Sequence, residues 1–166
     1  MAEKWVLEDD CLAPRAQIKI EFEGKNPIEL YKKTSDILKK VWEVGGTDLW
    51  ERDVRWDMMS GDFYRRIYIN KGLDSHSKIF AEIIMEGQQP KDPTKNGKIT
   101  IYISAKLLSE FELKSALQKN PLYKGLLWLY NRIFYKDVRA GYLKICQDLL
   151  NKVDMEFRSI LSIPTT

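Results

Sequence analysis

An α+β domain, in which an antiparallel sheet of about five strands grips a long C-terminal helix, is what three features of the sequence predict. Apolar and polar residues alternate over "APRAQIKIEFEG" and again, in four runs, from Thr47 to about Leu113. Helical spacing replaces that alternation in two segments, each opening on an Asn-Pro pair, Asn26-Pro27 and Asn120-Pro121. Finally, "SGD" at 60–62, "KGLDSHS" at 71–77 and "GQQPKDPTKNG" at 87–97 are turns, and strands joined so closely form an antiparallel meander.

The elements follow in order strand, helix, four strands, helix. Residues 1–13, acidic through Glu3, Glu8, Asp9 and Asp10, read as a flexible start. Next comes a half-buried strand with Ala16, Ile18, Ile20 and Phe22 on one face. In the first helix Leu30, Tyr31, Thr34, Ile37, Leu38 and Val41 recur at helical spacing before Gly45 and Gly46 end it. The meander strands fall near 48–59, 63–71, 78–86 and 97–113. In the last of them Ile99, Ile101, Ile103, Ala105, Leu107, Ser109, Phe111 and Leu113 share a side, and its length predicts a twist or bulge near Leu107 and Leu108. The final helix runs from 121 to 161. Unbroken it would be ~60 Å long, so the pattern predicts a bend at Gly141 or a projecting end.

Composition narrows the function classes. At 166 residues, with 44% hydrophobic and 31% charged residues, the chain reads as one soluble globular domain spanning 1–166. The net charge of +3 is too small to imply nucleic acid by itself, although residues 114–166 hold nine Lys/Arg against four Asp/Glu. Cys11 and Cys146 are distant and show no ligand spacing, so they read as small buried hydrophobes and no metal site is expected. With no long apolar run and no secretory layout at the start, the expected location is cytoplasmic. His76, beside Asp74, Ser75 and Ser77, sits in a turn, and sequence neighbours in a loop do not make a catalytic triad. Phosphate-cradling loops and nucleophile elbows are absent from the sequence, so neither catalysis nor a cofactor is expected.

The stretch "LWERDVRW", 49–56, poses the sharpest question. Strict alternation places Trp50, Arg52, Val54 and Trp56, with Met58, on the inner face, and the next strand places Phe63, Arg65, Ile67 and Ile69 there. Two arginines then lie among apolar side chains and need a carboxylate, carbonyls, water or an anionic ligand. One reading packs their stems on tryptophan. The other has them meet the polar end of an apolar ligand. On the outer face Arg55, Tyr64, Arg66, Tyr68, Phe80, Tyr102 and Lys106 make an aromatic and basic surface of the kind that stacks single-stranded bases. Glu51, Asp53, Asp57, Glu82 and Glu86 on that face would repel phosphate, which makes nucleic acid the weakest reading.

The order of elements resembles the helix-grip arrangement of the START and Bet v 1-like (SRPBCC) proteins, from Arg15 to Leu161. Many members carry two short helices after the first strand and six strands beyond, where this chain shows one helix and four strands. The resemblance implies a cavity between the sheet and the C-terminal helix that receives a small apolar or amphipathic molecule. The expected function is non-catalytic binding there. Arg52 and Arg65 would orient the ligand, Trp50, Trp56, Ile101, Ile103, Tyr130 and Phe134 would surround it, and the 87–97 loop would cover the entrance. The alternative is a protein-protein interaction module with a filled cavity. In it the basic helix beyond Gly141 forms a homodimer or meets another partner through Tyr142, Cys146, Leu149, Val153, Phe157 and Ile160.

Overall fold

Apolar alternation on one side only obliges each strand to find cover, and two helices provide it. The computed structural model describes residues 3–163. Its elements are β1 (Glu3–Asp10), β2 (Ile18–Gly24), α1 (Ile28–Trp42), β3 (Leu49–Trp56), β4 (Asp62–Gly72), β5 (Ser77–Gln88), β6 (Gly97–Leu113), α2 (Pro121–Ile133) and α3 (Lys136–Leu161). All six strands form one antiparallel sheet. Its order is β1-β6-β5-β4-β3, and β2 also pairs with β6. The α+β architecture and the long closing helix are therefore as the sequence predicts.

The sixth strand was not expected. Glu3–Asp10, read as a flexible start, pairs residue by residue with Lys106–Leu113, while β2 pairs with Gly97–Ile103. Two strands lie end to end along β6, and Cys11 bridges the break by donating its N–H to the Ala105 carbonyl at 3.0 Å. This answers the length of β6, whose 17 residues run without the expected bulge near Leu107: one flank is shared between two strands and the other follows β5 continuously. The acids of β1 suit an edge strand, where charge discourages further pairing.

One layer of apolar side chains fills the space beneath. Ile67 and Ile69 of β4, Ile79, Ala81, Ile83 and Met85 of β5, and Ile99, Ile101, Ile103, Ala105 and Leu107 of β6 are buried against Leu30, Leu38 and Trp42 of α1 and Leu150, Val153 and Phe157 of α3. Burying each such side chain contributes roughly 1.5–3 kcal/mol, so this layer dominates stability. The two helices lie side by side on the same face, each covering part of it.

Cys11 and Cys146 are bonded in a disulfide across this core, which ties the β1–β2 connection to α3. The sequence reading of two unpaired hydrophobes is thus corrected. Distance along the chain says nothing of distance in space, and both side chains are fully buried where α3 crosses that connection.

The C-terminal helical segment is also two helices, broken at Phe134 and Tyr135 rather than bent at Gly141. Tyr135 is held from outside the helix: its hydroxyl bonds with Ser77 Oγ at 2.9 Å and donates to Asp74. Gly141 lies within α3. The stripe Cys146, Leu149, Val153 and Phe157, expected to meet a partner, is buried within this chain. Among the described residues no helix is long and apolar enough to cross a membrane.

Candidate functional site

The residues expected to surround a ligand do not converge, and one extra residue accounts for most of the dispersal. In the β3–β4 ladder Glu51 opposes Ile67 and Asp53 opposes Arg66, so Arg52 is a bulge without a partner. Before the bulge Leu49 and Glu51 face inward; after it Val54 and Trp56 do, opposite Arg65 and Phe63. Trp50 and Arg52 consequently belong to the outer face, correcting the inward placement that strict alternation required. There Trp50 packs against Tyr68 and Phe80 at ring separations of 5.8 and 6.2 Å, and the Arg52 guanidinium lies 6.0 Å from the Tyr68 ring.

Arg65 does face inward, and its neutralising partner comes from the same bulge. Its guanidinium donates to the Glu51 carboxylate, to the Tyr31 carbonyl at 2.6 Å and to Ser35 Oγ at 2.5 Å, and it lies 5.0 Å from the Tyr31 ring. Glu51, read from parity as an outer-face acid, is instead the counter-ion that lets a cation enter the inner layer. Burial pushes the Tyr31 phenol up, against the pull of Arg65. Trp56 closes this corner edge-on to Tyr31, with ring centroids 5.8 Å apart. The arrangement clamps α1 to β3 and β4. With both terminal nitrogens directed at protein acceptors, and Nε buried without a partner among the described residues, Arg65 serves packing.

Ile101 and Ile103 lie in the closed core, fully buried. Tyr130 of α2 and Phe134 just beyond it pack on each other at 5.8 Å, and both are exposed. The 87–97 loop meets the start of α1: Gln89 Oε1 accepts the Ile28 N–H at 3.3 Å, and the Gln89 N–H donates to the Gly61 carbonyl at 2.9 Å. Gly61, at φ 80°, is the residue that the turn requires, since a Cβ there would collide with the Gln89 carbonyl.

A groove of about 830 Å³ lies instead between the sheet edge and the two C-terminal helices. Leu7 of β1, Trp128, Leu129 and Ile133 of α2 and Leu143 of α3 form apolar walls; Arg132, Lys136 and Arg139 stand along it with Glu8 and Asp9. Arg139 is buried and committed, donating to Asp9 and to Ser109 Oγ. Arg132 lies 5.2 Å from the Trp128 ring, while neither it nor Lys136 is in an ion pair among the described residues. Asn131, nearly buried, donates from Nδ2 to the Leu127 carbonyl at 2.9 Å; its Oδ1 accepts nothing from the described residues. The groove thus combines apolar walls, two cations and one unsatisfied acceptor. Sequence reasoning missed it because one wall is β1, which was not expected to be ordered.

Below the groove a polar relay fixes the start of α3. Ser109 Oγ and Ser77 Oγ are 2.7 Å apart, Ser77 meets Tyr135, and Tyr135 and Tyr142 both donate to Asp74, Tyr142 at 2.8 Å. Burial acts to raise the Asp74 carboxyl but is outweighed by the Tyr135 hydroxyl, the His76 N–H, the Tyr142 hydroxyl and the Ser77 N–H, which hold it at about 2. Donation to Asp74, aided by burial, pushes the Tyr142 phenol up to about 12. Both phenols of this relay are poor acids, and the His76 ring stacks on Phe111 at 4.8 Å rather than joining it. This is a brace for the fold.

On the outer face three cations are answered by carboxylates, Arg55 by Asp53 at 2.8 Å, Arg66 by Glu82 at 3.5 Å and Lys106 by Glu8 at 2.5 Å, while Arg52 is in no ion pair among the described residues. Tyr68 and Phe80 stack on each other at 5.2 Å.

Neither the family models nor the curated proteins contain a match to this chain. Among solved structures, a conserved protein from Geobacillus kaustophilus is 15% identical, the match covering 85% of this chain and 93% of that one, with a TM-score of 0.26. An uncharacterized protein from Rhizobium leguminosarum is 11% identical over 90% of this chain and 99% of its own, with a TM-score of 0.22. At such TM-scores the likeness says nothing of this chain's fold or function.

Proposed function

We propose that the protein binds a small amphipathic molecule without chemistry, in the groove between β1 and the α2–α3 pair. The observation that carries this reading is the groove's division into apolar walls and a basic margin, at a volume within the ~300–1,000 Å³ usual for small-molecule sites. Leu7, Leu129, Ile133 and Leu143 would hold the apolar body, Arg132 and Lys136 an anionic end, and Asn131 Oδ1 a hydroxyl or amide donor. In this reading the ligand lies at the sheet edge, not between the sheet and the C-terminal helix as the helix-grip resemblance implies.

Native mass spectrometry of protein purified from its own cells tests the reading. A retained small molecule is expected. It should be lost from Ala140→Trp, which fills the groove from an exposed position. Retention in that variant equal to wild type would contradict it.

Cytoplasmic residence belongs to the same proposal, and the 11–146 pair tests it. In a reducing compartment the two sulfurs would be thiols, trapped as such when cells are lysed into an alkylating reagent under denaturing conditions. A pair found fully bonded would place the protein in an oxidising compartment.

A further inference from the structure

We propose that the exposed apolar stripe of α2 docks on an anionic lipid surface, a reading that needs no ligand in the groove although Leu129, Ile133, Arg132 and Lys136 border both. The helix is amphipathic in the reverse of the usual sense. Its inner face carries Tyr123, Leu127 and Asn131, which are wholly or partly buried. Leu122, Leu126, Leu129 and Ile133, spaced by four, three and four, fall within about 60° of arc at 3.6 residues per turn, and Leu122 and Leu126 lie clear of the groove that Leu129 and Ile133 border. These four are exposed by 74%, 58%, 43% and 57%. Leu117 before the helix and Phe134 after it are exposed as well. A helix of a globular domain ordinarily turns such a stripe to its own core, and α2 turns it away.

Charge selects the occupant. From Leu113 to Lys136 the chain carries Lys114, Lys119, Lys124, Arg132 and Lys136 and no Asp or Glu. Lys124 is answered by Glu3 at 2.5 Å and Lys114 by Glu112 at 3.0 Å; Lys119, Arg132 and Lys136 are in no ion pair among the described residues. A second copy seated on this face would bring the same cations against them, with no acid in the segment to compensate. A membrane surface supplies both complements at once, acyl chains for the stripe and anionic headgroups for the cations.

The test is co-sedimentation of the full chain with vesicles of phosphatidylcholine alone or containing a minor fraction of phosphatidylserine. Binding should require phosphatidylserine, weaken as salt rises, and fall about tenfold or more in Leu122→Glu/Leu126→Glu. Both positions are exposed and neither lines the groove, so the variant should melt as wild type does. Ala140→Trp should bind vesicles as wild type does, which separates this proposal from the groove reading. No binding to anionic vesicles by wild type would overturn the proposal. So would vesicle binding unchanged in the double variant, or a wild-type dimer that the double variant converts to a monomer.

Discussion

α2 and α3 follow one another in sequence with apolar residues at the same helical spacing, yet the molecule uses them in opposite ways. α3 buries Cys146, Leu149, Leu150, Val153, Phe157 and Leu161 beneath the sheet, whereas α2 buries only Asn131. A hydrophobic stripe therefore announces that a face will be covered without saying by what. For α3 the cover is this chain's own sheet. For α2 the proposed cover is a lipid surface along Leu122 and Leu126, and a groove ligand where Leu129 and Ile133 border the cleft.

That contrast should appear first in stability. Phe157→Ala removes a fully buried ring from α3 and should cost about 3–5 kcal/mol, while Leu126→Ala in α2 should change stability by no more than about 0.5 kcal/mol. Denaturant midpoints of the two variants measure this directly, and equal losses would erase the distinction. Next comes the bond that ties α3 to the β1–β2 connection. Cys11→Ala/Cys146→Ala should cost about 3 kcal/mol relative to the oxidised protein, because the bridge spans 135 residues and restricts the unfolded chain.

Arg65→Met should be smaller, about 2 kcal/mol. It strands the Glu51 carboxylate, but that group is 38% exposed and partly regains water, so the loss lies below that of a fully buried pair. Binding of any groove ligand should be unaffected by this change. A lost ligand with unchanged stability would restore Arg65 to the site.

The smallest expected effect is a pH dependence at the start of α3. Asp74 is held at about 2 in the folded chain, below its ordinary value of 3.8, so its contribution is present above 3.8 and disappears as the pH falls toward 2. Asp74→Asn should flatten the decline in stability over that acid range. An unchanged decline would mean that Tyr135 and Tyr142 do not hold the carboxylate.

Much of this architecture was legible in the chain because alternation and turn residues are local signals. Both faces of β4, β5 and β6 follow from parity, as does the inward position of Arg65. "LWERDVRW" was misread because nothing in it marks a bulge. No glycine or proline interrupts it, and the extra residue shows only in its pairing with β4. Trp50 and Arg52 were lost from the expected site on that account, and Glu51 was overlooked as the answer to the buried cation.

β1 escaped notice for a related reason. Its acids suggested solvent, yet an edge strand needs only one covered flank, and Trp5 and Leu7 alternate within it. The break at Tyr135 depends on a hydroxyl reaching Asp74, 61 residues distant in sequence, and no window along the chain displays that bond. The groove bounded by β1 and by this break could not be seen until both were placed.

Hydrogen exchange along the intact chain tests the central contrast most directly. Amides of α3 from Cys146 to Leu161 should open only with global unfolding, and those of α2 should exchange faster by about a hundredfold or more, slowing when anionic vesicles are added. Protection of α2 equal to that of α3 in the protein alone would contradict the account, since it would mean that the outward stripe already has its cover.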